Sequence, residues 1–169
     1  MRNKSFIVFI VTAFLFLGCK DEPASTDINK SYIPENPNQK VVFDSSDLFT
    51  TVEEQILSEK IIRYEQTSTN QAAVLSIDSI PSKMEIQQFG KAVANAWGIG
   101  LKDKDNGLLI TISKFEKKIA ISTGLGTEQL ISDDDCQRII DNLMIPQFKR
   151  NNYFEGVERA LDSLFILWD

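Results

Sequence analysis

Apolar blocks separated by short polar stretches predict a regular order of elements in the first half of the domain. Residues 41–43 form a short strand-like run. Residues 72–77 form a longer apolar run without alternation, as in a strand covered on both faces. Between them, Thr50 or Thr51 with a glutamate three residues later predicts a capping box, which opens a helix reaching about residue 69. The pattern predicts a strand, a helix and a second strand.

The second half of the pattern predicts another helix, a β-hairpin and two further helices. A helical period over residues 82–97 precedes two strand-like runs, residues 108–112 and 119–122. The short turn between these runs predicts that they pair as an antiparallel hairpin. A capping box opens a helix at Ser132, and a last amphipathic helix covers residues 153–168.

This order of elements predicts the fold class, which is α/β. A right-handed βαβ crossover makes the strand after the second helix parallel to residues 72–77. The hairpin then adds one antiparallel strand to the same sheet. We therefore expect a three-layer α/β/α sandwich around a mixed, mostly parallel sheet with a β-hairpin.

The first residues of the chain have the form of a bacterial lipoprotein signal. Arg2 and Lys4 precede an apolar run over residues 6–17, and Cys19 follows Gly18. The run is shorter than the roughly 20 residues that a membrane-spanning helix needs. We predict a signal peptide over residues 1–18 and a lipid such as palmitate on Cys19; the alternative is a cleaved or uncleaved anchor with an ordinary cysteine.

Residues 19–40 have the composition of a flexible tether, being rich in polar residues and proline. Lys20, Asp21 and Glu22 resemble an address tag of some bacterial surface lipoproteins. We expect an outer-membrane lipoprotein at the cell surface or facing the periplasm, held to the membrane by the lipid on Cys19. The folded domain is then residues 41–169.

Composition excludes several classes of function. The formal net charge is −6 and becomes −8 when Arg2 and Lys4 leave with the signal, so nucleic acid is not an expected partner. The chain has no histidine, which excludes Ser-His-Asp and Cys-His catalysis. Cys136 has helical spacing with apolar residues and is predicted to be a core residue.

The hairpin should gather oxygen ligands at one edge of the sheet. Its two strands are antiparallel neighbours, so the loop before the first strand lies near the segment after the second. Calcium and magnesium prefer clustered carboxylate and carbonyl oxygens. We predict a Ca²⁺ or Mg²⁺ site there, with these candidate ligands: Asp105, Asn106, Glu128, Asp133 and Asp135, with Asp44 and Asp103 as further candidates.

Each candidate also has a purely structural explanation. Asp105-Asn106-Gly107 is a good turn sequence without any ion, and Asp133 to Asp135 suit a helix start because they face the positive end of its dipole. The segment from Asp103 is not an EF-hand loop, because Leu108 occupies the position that requires glycine.

Several segments together resemble the TPM domain family. The matching residues are Val42, Asp44 and Leu48 before the first helix, Trp97-Gly98-Ile99-Gly100, Asp105-Asn106-Gly107-Leu108-Leu109, Gly124-Leu125-Gly126 with Glu128, Asp133, Ile145-Pro146 with Phe148, and Tyr153 with Gly156. The resemblance implies an α/β/α sandwich, and some members are reported to bind divalent ions.

The resemblance leaves two functions open, beside a third possibility that the domain binds no ion. The first is an envelope-tethered domain that binds a divalent cation and has an accessory role with an envelope protein partner. The second is a metal-dependent acid phosphatase that uses the same acidic edge, since a plant member is reported as an acid phosphatase. A phosphatase here must depend on metal, because the aspartates at the edge would otherwise repel phosphate.

Overall fold

The computed structural model describes residues 30–169. The predicted signal peptide, Cys19 and the tether as far as residue 29 lie outside the described residues. Within the described part, no helix is both long enough and apolar enough to span a membrane.

A four-stranded sheet forms the centre of the domain, in the order β1-β2-β3-β4. The strands are β1 (Val42–Asp44), β2 (Gln71–Ile77), β3 (Gly107–Ser113) and β4 (Lys118–Thr123). The first three are parallel, with Gln71 beside Gly107 and Ser76 beside both Asp44 and Ile112. β4 pairs antiparallel with β3. This confirms the mixed, mostly parallel sheet with a hairpin.

Five α-helices connect and cover the strands. They are α1 (Thr51–Ser68), α2 (Ile86–Trp97), α3 (Asp133–Ile139), α4 (Ile145–Phe148) and α5 (Tyr153–Trp168). Both capping boxes form as expected, one with Thr50 and Glu53 at α1 and one with Ser132 and Asp135 at α3. Reciprocal bonds of this kind satisfy backbone groups that a helix start leaves free.

Each face of the sheet has its own hydrophobic cluster. Alternate residues of the strands point to opposite faces, so Val74 belongs to one cluster and Leu75 to the other. α1, α3 and α5 pack on the face of Val74, and α2 packs on the face of Leu75. The α/β/α arrangement is thus confirmed. It also explains why all seven residues of β3 are buried and neither of its faces is exposed to solvent.

The two βαβ connections have opposite hands. Both move one strand along the sheet in the same direction, yet α1 crosses one face and α2 the other. Only one of the two connections can therefore be right-handed. The two connections leave the carboxyl ends of β1 and β2 toward opposite faces of the sheet, an arrangement beside which ligands bind in many open α/β sheets.

Two elements differ from the sequence-based expectation. α2 begins at Ile86 instead of Ser82, because Lys83 has a φ of 69° and Met84 donates to the Pro81 carbonyl in a turn. Between α3 and α4 the chain forms a π-helical turn, Ile140–Met144. Pro146 follows it and has no amide hydrogen, so the regular helical ladder cannot continue through that residue.

The described end of the expected tether packs on the domain. Ile33 contacts the cluster beneath α2, and the Trp97 indole Nε1 donates to the Pro34 carbonyl at 2.8 Å. Asn36 and Lys40 close a small turn through two side chain–backbone hydrogen bonds of 2.9 Å. This segment joins the sheet at the edge where β2 and β3 begin.

Candidate functional site

The loop before β3 is held to the start of β2 by the Asn106 side chain. Asn106 is buried, and its Oδ1 accepts from the Leu101 amide at 2.9 Å. Its Nδ2 donates to the Thr69 carbonyl at 2.9 Å and to Asn70 Oδ1 at 3.0 Å. Because these bonds fix two separate turns, Asn106 has a structural role and does not present its oxygen to solvent.

The segment after β4 lies directly against the same loop. The Gly126 amide donates to the Asp105 carbonyl at 3.1 Å, and the Thr127 hydroxyl donates to the Gly107 carbonyl at 3.1 Å. A Cβ atom at Gly126 would lie 1.9 Å from the Lys104 carbonyl oxygen, so only glycine fits this approach. The predicted meeting of the two segments is confirmed for their backbones.

Three carboxylates lie on these two segments and a fourth begins α3, and we call the four the rim carboxylates: Asp103, Asp105, Glu128 and Asp133. Asp103, Asp105 and Asp133 are exposed. Glu128 has long contacts only, 3.4 Å from the Thr123 hydroxyl and 3.8 Å from Lys91 Nζ. None of the four carboxylates forms a close ion pair with another described residue.

The Asp135 carboxylate forms its contacts at the start of α3. Its Oδ2 accepts from the Ser132 hydroxyl at 2.5 Å and from the Ser132 amide at 3.1 Å, and its Oδ1 contacts Arg138. The Ser132 hydroxyl, then the Ser132 amide, and then Arg138 hold the pKa of the Asp135 carboxyl below its usual range. These bonds favour a helix cap over an ion ligand at this position.

Asp44 lies at the opposite end of the strands from the rim, so its inclusion in the site was wrong. It pairs with Ser76, five residues beyond Gln71, which is about 17 Å along the strand. The carboxylate accepts from the Phe49 amide at 2.8 Å and from the Ser76 hydroxyl. Ser46 donates to Ser76 Oγ at 2.7 Å, so the polar groups at the carboxyl ends of β1 and β2 bond to one another.

The described residues contain no group of three or more aspartate, glutamate, cysteine or histidine side chains arranged to hold a metal ion. The backbones of the rim meet, but their carboxylates do not converge on one point. Sequence spacing could place the segments side by side, but it could not supply the directions of the side chains.

Cys136 is part of the core, as its spacing predicted. The side chain is 5% exposed in the cluster beneath α3 and α5. Burial, and then the charges of Asp133 and Asp135, raise the pKa of the Cys136 thiol to about 11. A thiol that stays protonated at neutral pH is a poor nucleophile, so this residue offers no catalytic chemistry.

A family model described as "TPM domain" (TPM_phosphatase) matches residues 42–166. The chain belongs to the TPM domain family. The match covers every strand and helix from β1 into α5, which includes the two loops that meet at the rim. Two of the TPM segments hold the rim together: Asn106 acts through its side chain, and Gly124 and Gly126 act through close backbone contact.

Solved structures with the TPM fold come from several bacteria. The N-terminal domain of a P. gingivalis protein has 26% identity and a TM-score of 0.69, covering 76% of this chain and 82% of that chain. The BA42 protein of Bizionia argentinensis has 19% identity and a TM-score of 0.63, covering 75% and 89%. The N-terminal domain of Corynebacterium glutamicum cg2496 has 14% identity and a TM-score of 0.60, covering 83% and 90%. A comparison with curated proteins found no match.

Proposed function

We propose that this TPM domain binds a divalent cation, Ca²⁺ or Mg²⁺, at the rim carboxylates and serves as an accessory module at the cell envelope. The observation that supports the proposal is the backbone contact between the two loops, above all the bond from the Gly126 amide to the Asp105 carbonyl. It keeps Asp105 and Glu128 on neighbouring segments without using either carboxylate.

Electrostatics favours an ion at this edge. Asp103, Asp105 and Asp133 are exposed, and Glu128 has one distant cation partner in Lys91. Like charges that share an edge repel one another, and a doubly charged ion offsets that repulsion. Asn106 and Asp135 are not among the proposed ligands, because the Asn106 side chain is hydrogen-bonded within the loop and the Asp135 carboxylate within the helix start.

The ion must draw the carboxylates together, so the expected affinity is modest. Because the ion has to order its own ligands, we expect a dissociation constant of about 10⁻⁴–10⁻³ M, as in extracellular calcium modules. Such a site would be filled where the ion is abundant, which agrees with the proposed position outside the cytoplasm, on a membrane lipid carried by Cys19.

The test is calorimetric titration of residues 30–169 with Ca²⁺ and with Mg²⁺. This fragment contains both hydrophobic clusters, and the P. gingivalis relative was solved as an isolated N-terminal domain. The rim variant is Asp105→Asn with Asp133→Asn. The control is Asp47→Asn with Asp78→Asn, which removes the same charge from exposed residues beyond the opposite ends of β1 and β2.

We expect the rim variant to weaken binding by at least about tenfold and the control to change it by less than about twofold. Equal weakening by both pairs would mean that the ion responds to net charge alone, and unchanged binding by the rim variant would place the ion elsewhere. Either result contradicts the site.

The phosphatase alternative is tested in the same samples with a phosphate ester, with and without chelator. The name of the family model is the one observation that points to it. We expect ion binding without turnover. Turnover that chelator abolishes and that the rim variant lacks would replace the accessory role with an enzymatic one.

A further inference from the structure

A second candidate site lies at the edge of the sheet opposite the rim. A cavity of about 400 Å³ opens there between the hairpin end of β3 and β4 and the chain from α4 to α5. Ser113 and Lys118 line one side, and Phe148 and Tyr153 line the other. It shares no residue with the rim carboxylates, so it goes beyond the proposed cation site.

Among residues 30–169, lysine is the one charged residue type in the lining of this cavity, which we call the lysine pocket. It is lined by Lys114, Lys117, Lys118 and Lys149, and by no aspartate or glutamate of the described chain. This is the reverse of the chain as a whole, whose formal net charge is −6. A cavity lined by one sign of charge attracts ligands of the opposite sign.

Two of the four lysines are already engaged. Lys114 Nζ donates to the Ser46 carbonyl, and Lys118 Nζ lies 3.4 Å from Glu85. Lys117 and Lys149 are exposed and form no ion pair with any residue in the described range. These two ammonium groups are therefore the ones available to an anion.

The inner wall of the lysine pocket is apolar. Ile119, Ile145 and Phe148 line it, and each is partly buried at the border of the larger hydrophobic cluster. The Phe148 ring packs on the Tyr153 ring with centroids 4.9 Å apart, which stiffens that wall. Ligand pockets commonly combine an apolar lining with a few placed polar groups.

We propose that the lysine pocket binds a small amphipathic anion, namely a single short alkyl or aryl group that carries a phosphate or a carboxylate. The anion lies between Lys117 and Lys149, and the apolar group lies against Ile145 and Phe148. The cavity volume of about 400 Å³ falls within the range of small-molecule sites, which is about 300–1,000 Å³. We therefore expect a ligand with one short chain.

The test titrates residues 30–169 with octyl phosphate, below its micelle concentration, and follows the backbone amide resonances. Inorganic phosphate tests the charge alone, octyl glucoside tests the chain alone, and vesicles with phosphatidic acid test a membrane surface. The variant is Lys117→Glu with Lys149→Glu. The matched control is Arg63→Glu with Lys102→Glu, two exposed cations outside the lining.

We expect octyl phosphate to bind at least about tenfold more tightly than inorganic phosphate or octyl glucoside, with shifts centred on Ile119 and Phe148. The lysine variant should lose that advantage, and the control should keep it. Lys117→Ala with Lys149→Ala should show the same loss if the charge reversal disturbs folding.

Three outcomes would overturn the proposal. The first is equal affinity for octyl phosphate in the lysine variant and the control. The second is inorganic phosphate binding as tightly as octyl phosphate, because the apolar wall would then contribute nothing. The third is lysine-dependent binding to the vesicles that matches binding of free octyl phosphate, because the occupant would then be a membrane surface.

Discussion

Buried polar side chains affect the stability of the domain in opposite ways, depending on whether they have hydrogen-bond partners. Asn106 is buried and makes three hydrogen bonds, so it links the loop before β3 to the turn before β2. Thr111 and Ser122 are buried as well, but their hydroxyls have no partner among the described residues. A buried hydroxyl without a bond costs free energy that an apolar group of the same shape would not.

Replacing Thr111 with valine should therefore stabilise the domain. Valine keeps the branched shape and removes the unpaired oxygen, so we expect the free energy of unfolding to rise by about 1 kcal/mol. Urea denaturation of residues 30–169 measures it. Thr111→Ser is the control, because it keeps the hydroxyl and should lower stability. A loss of stability in Thr111→Val would show that the hydroxyl has a partner after all.

At the scale of elements, the contact between the loop 98–106 and the segment after β4 depends on glycine. A Cβ at Gly124 would lie 2.2 Å from the Asp105 carbonyl oxygen, and at Gly126 one would lie 1.9 Å from that of Lys104. Gly126 has no positive φ, so its requirement is for space and not for conformation. Gly98 is required for its conformation and not for space, because its φ is 68° and nothing lies within 4 Å of a Cβ there.

Gly126→Ala should separate the two loops, and Gly98→Ala should not. We expect the first to lower the free energy of unfolding by about 1–3 kcal/mol, because a new methyl group pushes on backbone. The second costs about 1 kcal/mol from the left-handed conformation alone. Amide resonances of Lys104 and Asp105 should move in Gly126→Ala only. Unmoved resonances there would mean that the loops are not held in contact by this glycine.

At the scale of the whole molecule, the two candidate sites lie at opposite ends of the strands. The rim carboxylates lie where β3 begins, and the lysine pocket lies where it ends. The N-terminal segment joins at the rim edge, because Pro34 and Ile33 pack beside Trp97 near the end of α2.

The N-terminal segment should contribute to the stability of the domain. A chain that starts at residue 41 loses the packing of Ile33 and the bond from Trp97 to Pro34. We expect a lower melting temperature than for residues 30–169 and a red-shifted indole emission, since a Trp97 ring near Phe43 gains contact with water. Trp97→Phe in both chains is the control for the emission. Equal melting of the two chains would mean that residues 30–40 are only a tether.

Local pattern determined most of the elements and the family of this protein. Continuous apolar runs gave the buried strands, capping boxes gave the starts of α1 and α3, and the TPM segments were recognisable in order. These features depend on residues within a few positions of one another. For the same reason the antiparallel pairing of β3 with β4 was enough to bring the two rim loops together.

Tertiary structure alone decided which polar groups are available at each edge. Asp44 and the rim are separated by the length of β2. The side chains of Asn106 and Asp135 are hydrogen-bonded within the loop and the helix cap, respectively. The lysine pocket forms because the hairpin turn meets the chain after α4, about thirty residues later in sequence. Side-chain direction and long-range contact arise only when the sheet and helices pack, and no periodicity along the chain encodes them.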